Sequence, residues 1–170
     1  MGKPSQYFRA GAGGLIVNRE GLVLALERAD IPGAWQLPQG GLEESEEPLH
    51  AAFREVAEET GIPESALELV RACPEPLAYE LPVAARRAKT GRGQVLSWFL
   101  FRFRGSDDLV DVTRGGEFLA WRWMAFPRVI EGVADFRKPM YRRLATEFHG
   151  DLAATSQSTK PRRRGGTEAC

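Results

Sequence analysis

Several short apolar segments along the chain predict β-strands. From residue 11 to residue 26, two apolar runs flank a polar, glycine-containing turn at residues 18–21, a pattern that is typical of a β-hairpin. Further segments rich in β-branched, aliphatic and aromatic residues predict strands at residues 67–70, 95–104 and 118–123. The two prolines and three glycines of residues 31–41 predict an ordered loop between the hairpin and the next element.

The chain changes to a helical period after residue 45. Ser45 is the predicted N-cap of a helix that runs to Thr60, and Gly61 is the predicted stop. Apolar residues recur there at the spacing of one helix face, at Leu49, Ala52, Phe53 and Val56. A second helix is predicted over residues 139–148, where apolar residues stand four apart. Strands and two helices in this mixed order predict an α/β or α+β sandwich.

The first helix carries an unusual cluster of carboxylates. Glu55, Glu58 and Glu59 fall within five residues, and a like-charged i,i+4 pair costs a helix roughly 0.2–0.5 kcal/mol. Helical geometry places the three side chains together beside the apolar face, at the rim of the core. One interpretation is a solvated acidic surface steadied by an Arg54–Glu58 ion pair. The other is an oxygen-ligand site for a hard divalent cation such as Mg²⁺.

Composition and charge narrow the function classes. The 170 residues suffice for one domain with a real core, and the composition is that of a soluble globular protein. The formal net charge is zero, so only a local basic patch would argue for nucleic-acid binding. The two cysteines predict no disulfide framework, and no apolar run is long enough for a membrane helix. We expect a cytoplasmic protein without a membrane partner, and nothing in the sequence predicts a protein partner.

A spaced motif extends the carboxylate cluster. Gly40 is followed by five residues, Glu46, seven residues and then residues 54–62, REVAEETGI. This segment resembles a complete Nudix box. The resemblance implies an α/β fold, an α/β/α sandwich with a mixed sheet and a catalytic loop-helix-loop, over residues 1–149. It also implies hydrolysis of a nucleoside diphosphate linked to another group. Residues 150–170 are small, polar and basic, and they predict a disordered tail.

The Nudix resemblance also implies roles for individual residues. The metal ligands for Mg²⁺ or Mn²⁺ and the catalytic carboxylates are then Glu55, Glu58 and Glu59, with the carbonyl of Gly40 as a further ligand. Either Glu59 or Glu55 is the general base, and the sequence does not choose between them. Arg54 and Glu46 pair to hold the loop to the helix, and Gly61 closes the motif.

Matches outside the box point to one subgroup. The segments WQLPQGG at residues 35–41, YELP at 79–82 and WRW at 121–123 resemble bacterial RNA pyrophosphohydrolases and the related dinucleoside polyphosphate hydrolases. This implies a pyrophosphohydrolase that acts on dinucleoside polyphosphates, on 5′-triphosphorylated RNA, or on both. In that group a glutamate before WRW joins the metal and catalytic site, which here is Glu117. Without the resemblance, Glu117 is an ordinary surface residue at the start of a strand.

Candidate substrate contacts follow from the same comparison. They are Arg9, Arg28 and Tyr79, together with Arg86 and Arg87 of a basic segment at residues 85–92. Such a segment attracts a polyphosphate or an RNA 5′ end, although a solvated charge run has the same composition. The chain departs from the subgroup at residues 96–97, Leu-Ser in place of Gln-Lys, and at residues 136–138, Phe-Arg-Lys in place of Phe-Lys-Arg.

Two alternatives remain open at the level of sequence. A Nudix hydrolase of another nucleoside diphosphate derivative, such as a damaged nucleoside triphosphate or ADP-ribose, has the same box. A non-catalytic nucleotide-binding or RNA-binding module has the same fold, but such modules usually lose box carboxylates that this chain retains. In each case the only predicted partner is a nucleotide polyphosphate or an RNA 5′ end.

Overall fold

The computed structural model describes residues 6–157 as one mixed β-sheet between two helical layers. The strands are β1 (Phe8–Val17), β2 (Val23–Arg28), β3 (Trp35–Gln36), β4 (Gln39–Gly41), β5 (Leu67–Ala72), β6 (Leu77–Glu80), β7 (Gly93–Phe103) and β8 (Phe118–Met124). The helices are α1 (Pro48–Thr60), α2 (Phe126–Gly132), α3 (Lys138–Glu147) and α4 (His149–Gln157).

The centre of the sheet is the parallel pair of β1 and β7. Their register runs from Phe8 opposite Gly93 to Val17 opposite Arg102. On its other side β7 pairs antiparallel with β5 and β6, while β1 pairs antiparallel with β2 and β4. Parallel and antiparallel pairs therefore share one sheet, which confirms the predicted α/β class with a mixed sheet.

Two hydrophobic cores cover the two faces of this sheet. Successive side chains of a strand point to opposite faces, so β1 sends Ala12 and Ile16 to one core and Leu15 and Val17 to the other. The first core is closed by α1, through Ala51, Ala52 and Val56. The second is closed by α2 and α3, through Val129, Met140, Tyr141 and Leu144. The sheet therefore separates α1, which carries the carboxylates, from α2 and α3.

Several predicted boundaries were wrong. The helix begins at Pro48 rather than at Ser45, whose φ of 61° lies in the left-handed region, and Glu47 precedes it without a side-chain cap. The predicted loop at residues 31–41 contains the short strands β3 and β4. The predicted disordered tail is helical in its first part, as α4, and residues 158–170 lie outside the described residues. The stop at Gly61 is confirmed, with φ at 74°.

A helix that spans a bilayer must be both long and apolar. None of the described helices meets both requirements for a membrane span.

A buried hydrogen bond ties α3 to the segment that leads into β4. The hydroxyl of Tyr141 accepts the backbone N–H of Leu37 at 2.8 Å, and Tyr141 is completely buried. Burial raises the pKa of this phenol to about 12, so it stays neutral. The segment before the box is thus fixed by a residue more than one hundred positions away.

Tyr141→Phe is expected to lower the free energy of unfolding by about 1–3 kcal/mol, because it leaves the buried N–H of Leu37 without an acceptor. The measurement is urea denaturation of both proteins. A loss below about 0.5 kcal/mol, the size usual for surface substitutions, would contradict this role.

Candidate active site

The carboxylates singled out in the sequence surround one cavity. The end of α1 and the start of β8 enclose about 150 Å³, lined by Glu55, Glu58, Glu59 and Glu117 together with Val112, Gly115 and Phe118. Glu117 is separated from the others by more than fifty residues of sequence. It arrives here because β8 pairs with β2, which positions the start of β8 beside α1.

The protein environment disfavours negative charge on two of these groups. Burial raises the pKa of Glu59 well above its usual 4.5, and the nearby Glu55 and Glu117 raise it further. Burial also raises the pKa of Glu55, although Arg54 opposes this effect. Glu58 differs, since 58% of its side chain is exposed. A cavity that gathers mutually repelling carboxylates in this way favours the entry of a cation.

Arg54 organises the segment from the opposite side. Its guanidinium donates to both carboxylate oxygens of Glu46 at 2.8 Å and to the carbonyl oxygen of Gly41 at 2.9 Å. This fork lowers the pKa of Glu46 to about 2. The remaining Nη1 lies 2.7 Å from Glu55 and 3.4 Å from Glu58. The Arg54–Glu46 pair joins loop to helix, and the same arginine also holds Glu55 in place.

Gly40 lies directly against the carboxyl group of Glu55. A Cβ at this position would fall 2.1 Å from both Cδ and Oε2 of Glu55, so only glycine fits without displacing that carboxylate. Gly40 is held by β4, where it pairs with Ala12 of β1. The first glycine of the motif therefore sets how closely the loop approaches the acidic helix.

The donor set fits a hard divalent cation by its chemistry. Within residues 6–157, no three acidic, imidazole or thiol side chains converge as a preformed ligand group. Two of the carboxylates are instead hydrogen-bonded within the protein. Arg54 donates to Glu55, and the backbone N–H of Gln39 donates to Glu59 at 3.0 Å. Yet four carboxylates share one cavity, and Mg²⁺ or Mn²⁺ prefers such oxygen ligands while retaining several waters.

The raised pKa of Glu59 predicts how stability changes with pH. When the folded pKa exceeds the unfolded one, the folded state binds the proton more tightly, so stability is greatest at low pH and falls as pH rises above the ordinary 4.5. We expect the metal-free protein to lose stability as pH rises above 4.5 toward the raised pKa of folded Glu59, and Glu59→Gln to lose less. Denaturation in a chelating buffer measures this. Equal slopes for the two proteins would contradict the assignment.

An apolar pocket of about 240 Å³ lies on the other face of the sheet. It is lined by Arg28, Trp35, Gln36, Phe136 and Arg137, among others. Arg28 forms an ion pair with Asp30 at 2.6 Å and donates to Gln36 at 3.2 Å. An aromatic-lined pocket with arginines at its wall suits a nucleotide base and its phosphates.

Arg137 is the site residue that sequence reasoning noted only as a departure from the subgroup. Its side chain is buried, with 8% of the residue exposed, and it forms no ion pair with any described carboxylate. It donates to Gln36 at 2.6 Å and lies over the rings of Tyr79 and Phe136. A buried cation that forms no ion pair is costly, and an anionic substrate at this pocket would relieve that cost.

Tyr79 lies beneath this pocket rather than in its lining. Only 6% of the residue is exposed, and its hydroxyl donates to Gln94 at 2.5 Å. Gln94 also accepts from the Gln39 side chain at 3.2 Å, and the Gln39 backbone donates to Glu59. Tyr79 therefore supports the ring of Phe136, 5.5 Å away, and connects the pocket to the acidic cavity through buried polar groups.

The other predicted substrate contacts are distributed unevenly. Arg9 is exposed and its guanidinium lies beside Gly41, within reach of the box. Arg86 is engaged by its own loop, donating to the carbonyl of Leu81 and pairing with Glu80. Arg87 is exposed, and its guanidinium donates to main-chain carbonyls of the same loop. Arg9 and Arg28 thus border the site, whereas the basic loop lies farther along the surface.

Comparison with known proteins identifies the family. The NUDIX domain profile matches residues 7–144. The chain belongs to the NUDIX family. It is 40% identical to an RNA pyrophosphohydrolase of Cereibacter sphaeroides, over 86% of this chain and 93% of that protein. It is 34% identical to Nudix hydrolase 25 of Arabidopsis thaliana, over 90% of this chain and 93% of that protein.

Solved structures of NUDIX proteins share the fold. A C. elegans Ap4A hydrolase binary complex superposes with a TM-score of 0.65 at 23% identity, covering 84% of this chain and 98% of that one. The E. coli dihydroneopterin triphosphate pyrophosphohydrolase gives 0.67 at 25% identity, covering 83% and 99%. The family that the box predicted is confirmed, and the mixed sheet is that of the family.

Proposed function

We propose that this NUDIX protein is a divalent-metal-dependent pyrophosphohydrolase that removes pyrophosphate from 5′-triphosphorylated RNA. The observation that carries the proposal is the cavity with four carboxylates inside a complete Nudix box. Curated relatives at 36–40% identity named RNA pyrophosphohydrolase favour RNA as the substrate. Dinucleoside polyphosphates contain the same phosphoanhydride bond and are the second substrate class. The substrates imply a cytoplasmic location.

Under this proposal the metal is held by the acidic cavity. Glu55, Glu58, Glu59 and Glu117 supply carboxylate oxygens, and Gly40 adds its carbonyl oxygen. A bound Mg²⁺ or Mn²⁺ neutralises phosphate oxygens and lowers the pKa of water. The protein contributes the fixed positions of these oxygens, since Arg54 and β4 hold Glu55 and Gly40 on either side.

Glu59 is the better placed general base. Its Oε2 accepts the N–H of Gln39, which leaves Oε1 to receive a proton from the attacking water. Burial raises the pKa of Glu59 above its usual 4.5, which makes it a stronger proton acceptor. The Arg54 guanidinium lies 2.7 Å from Oε1 of Glu55 and lowers the pKa of that carboxyl group against the effect of burial, so Glu55 is the weaker proton acceptor. These contacts favour Glu59 over Glu55, the two candidates that the sequence left open.

The apolar pocket binds the nucleotide end of the substrate in this proposal. Trp35 and Phe136 offer rings to a base, and Arg137 supplies a charge at the same wall. Arg28 and Arg9 lie nearer the box and contact the phosphates. The substrate then extends from the apolar pocket on one face of the sheet to the acidic cavity on the other.

The test compares two substrates in the presence of Mg²⁺. The purified protein is incubated with a 5′-triphosphorylated RNA and, separately, with diadenosine tetraphosphate, and kcat/KM is measured for each. We expect the RNA to be converted to its 5′-monophosphate with the higher kcat/KM. Faster cleavage of the dinucleotide to ATP and AMP would overturn the substrate assignment. Cleavage of neither would contradict the enzymatic proposal and favour a nucleotide sensor or another NUDIX substrate.

A further inference from the structure

Two aromatic side chains stand exposed at the start of β1. Tyr7 is 47% exposed and Phe8 is 36% exposed, although each has a large apolar ring. They lie beside the loop at residues 86–92, and the Arg92 guanidinium is 5.8 Å from the centre of the Phe8 ring. Exposed rings next to cations are the surface that stacks bases of a single-stranded nucleic acid.

The loop is fastened to Tyr7 rather than free. The Tyr7 hydroxyl donates to the carbonyl of Ala88, and the N–H of Arg92 donates to the carbonyl of Tyr7 at 2.8 Å. Gly91 has a φ of 68°, and a Cβ there would lie 2.6 Å from the carbonyl oxygen of Tyr7. The ring of Tyr7 is thus held against the loop, so it does not have to be ordered when a ligand arrives.

The charges of this loop divide into two kinds. Arg86 and Arg92 both form ion pairs with Glu80, at 3.0 Å and 2.8 Å, and these pairs stabilise the loop. Arg87 and Lys89 are exposed and form no ion pair with any carboxylate of residues 6–157. Two uncompensated cations therefore lie on the loop that contacts both exposed rings. We name the side chains of Tyr7, Phe8, Arg87 and Lys89 the aromatic-basic platform.

The platform lies at the start of β1, and the same strand leads to the segment that carries the box. Arg9 follows Phe8 directly, and its guanidinium lies against Gly41 of the box. Arg9 pairs in register with Gln94, which connects through Gln39 to Glu59. Strand β1 thus connects the platform to the segment that carries the box.

We propose that the aromatic-basic platform binds the single-stranded segment of RNA that follows the 5′-triphosphate end. The inference rests on the proposed function and deepens it, because it names the part of the RNA beyond its 5′ end that the protein binds. Arg87 and Lys89 contact backbone phosphates, and the rings of Tyr7 and Phe8 stack bases without reading their sequence. Rings and cations in this combination favour nucleic acid over an acidic protein, which offers no bases to stack.

The test uses two 5′-triphosphorylated RNAs, one of two nucleotides and one of about twelve unpaired nucleotides, within the usual site sizes for single strands. In the wild-type protein, we expect the longer RNA to have the lower KM. The double variant Arg87→Gln/Lys89→Gln should raise KM for the longer RNA about tenfold, with unchanged kcat and an unchanged KM for the short RNA. Phe8→Leu, which keeps the apolar bulk, should also raise KM for the longer RNA only.

Salt supplies a second readout and a matched pair supplies the control. Loss of two phosphate contacts should reduce the slope of log KM against log salt by about 1.4, at about 0.7 per contact. The control Arg128→Gln/Arg143→Gln removes two exposed arginines elsewhere and should change neither KM nor slope. An equal effect of both pairs, or none from either, would overturn the platform. In the second case, continued cleavage of both RNAs would leave the proposed function standing, whereas cleavage of neither by the wild type would refute that function itself.

Discussion

Glu58→Gln is expected to lower kcat for Mg²⁺-dependent hydrolysis by about 10²- to 10³-fold. Glu58 lies at the acidic cavity, yet 58% of its side chain is exposed and its contacts to Arg54 are long, at 3.4 Å and 3.5 Å. It contributes charge rather than packing, so the variant keeps its shape and loses one anionic oxygen. The free energy of unfolding should change by no more than about 0.5 kcal/mol.

The control for Glu58→Gln is Glu44→Gln. Glu44 is an exposed glutamate in the loop between β4 and α1, outside the cavity. Steady-state kinetics and urea denaturation of both variants separate a loss of chemistry from a loss of fold. Wild-type kcat in Glu58→Gln would remove this residue from the metal site. An equal loss of kcat in both variants would show that the effect comes from the overall charge of the protein rather than from the position of Glu58.

Gly40→Ala is expected to lower kcat by about 10²-fold while changing stability little. The added methyl group would fall within 2.3 Å of all three atoms of the Glu55 carboxyl group. A carboxylate at the end of a flexible side chain can rotate away, so the fold survives. The rotation takes Glu55 out of the position set by Arg54 and the cavity. Misplacement of about 1 Å at a reacting centre can cost this much.

Gly150→Ala is the matched control for Gly40→Ala. Gly150 lies in α4, where an added Cβ meets nothing within 4 Å. Activity should therefore stay at the wild-type level, and stability should rise slightly because alanine is the better helix former. A Gly40→Ala protein with wild-type kcat would contradict the inferred closeness of β4 and Glu55. Unfolding of that variant would show instead that Glu55 cannot move.

The helix that carries the box was predictable because its signals are local. The apolar stripe through Val56 and the glycine at Gly61 act within a few turns of the chain, and both are present as expected. The N-terminal boundary failed because Ser45 adopts a left-handed conformation, and Pro48 begins the helix three residues later. At this boundary, the path of the loop between β4 and α1 outweighs the preference of serine for the N-cap position.

Other elements depend on contacts between distant residues. β6 is a short segment between prolines that becomes a strand by pairing with β7. The start of α4 is polar, and it is held to β5 by the ion pair of Arg71 with Asp151 at 2.9 Å. The spacing of apolar residues does not predict contacts with such distant partners. The polar composition after residue 149 therefore predicted disorder. The structure corrects it for α4.

The candidate site also combines residues that local sequence predicts with residues that only contacts between distant segments bring together. Glu55, Glu58 and Glu59 lie on one helix, so spacing alone predicted their proximity. Glu117 was identified only by resemblance, and it joins them through the pairing of β8 with β2. The role of Arg137 depends on its burial over two rings and on the lack of a carboxylate partner among the described residues. Neither property can be predicted from the sequence around residue 137.

The most direct test of the account is the metal dependence of hydrolysis. The protein is stripped with a chelator, and release of pyrophosphate from a 5′-triphosphorylated RNA is followed as Mg²⁺ or Mn²⁺ is added back. The account predicts no turnover without metal, saturable recovery with it, and loss of that recovery in Glu58→Gln. Full turnover in the stripped protein, or metal-dependent turnover that Glu58→Gln leaves unchanged, would contradict the claim that the acidic cavity is the catalytic centre.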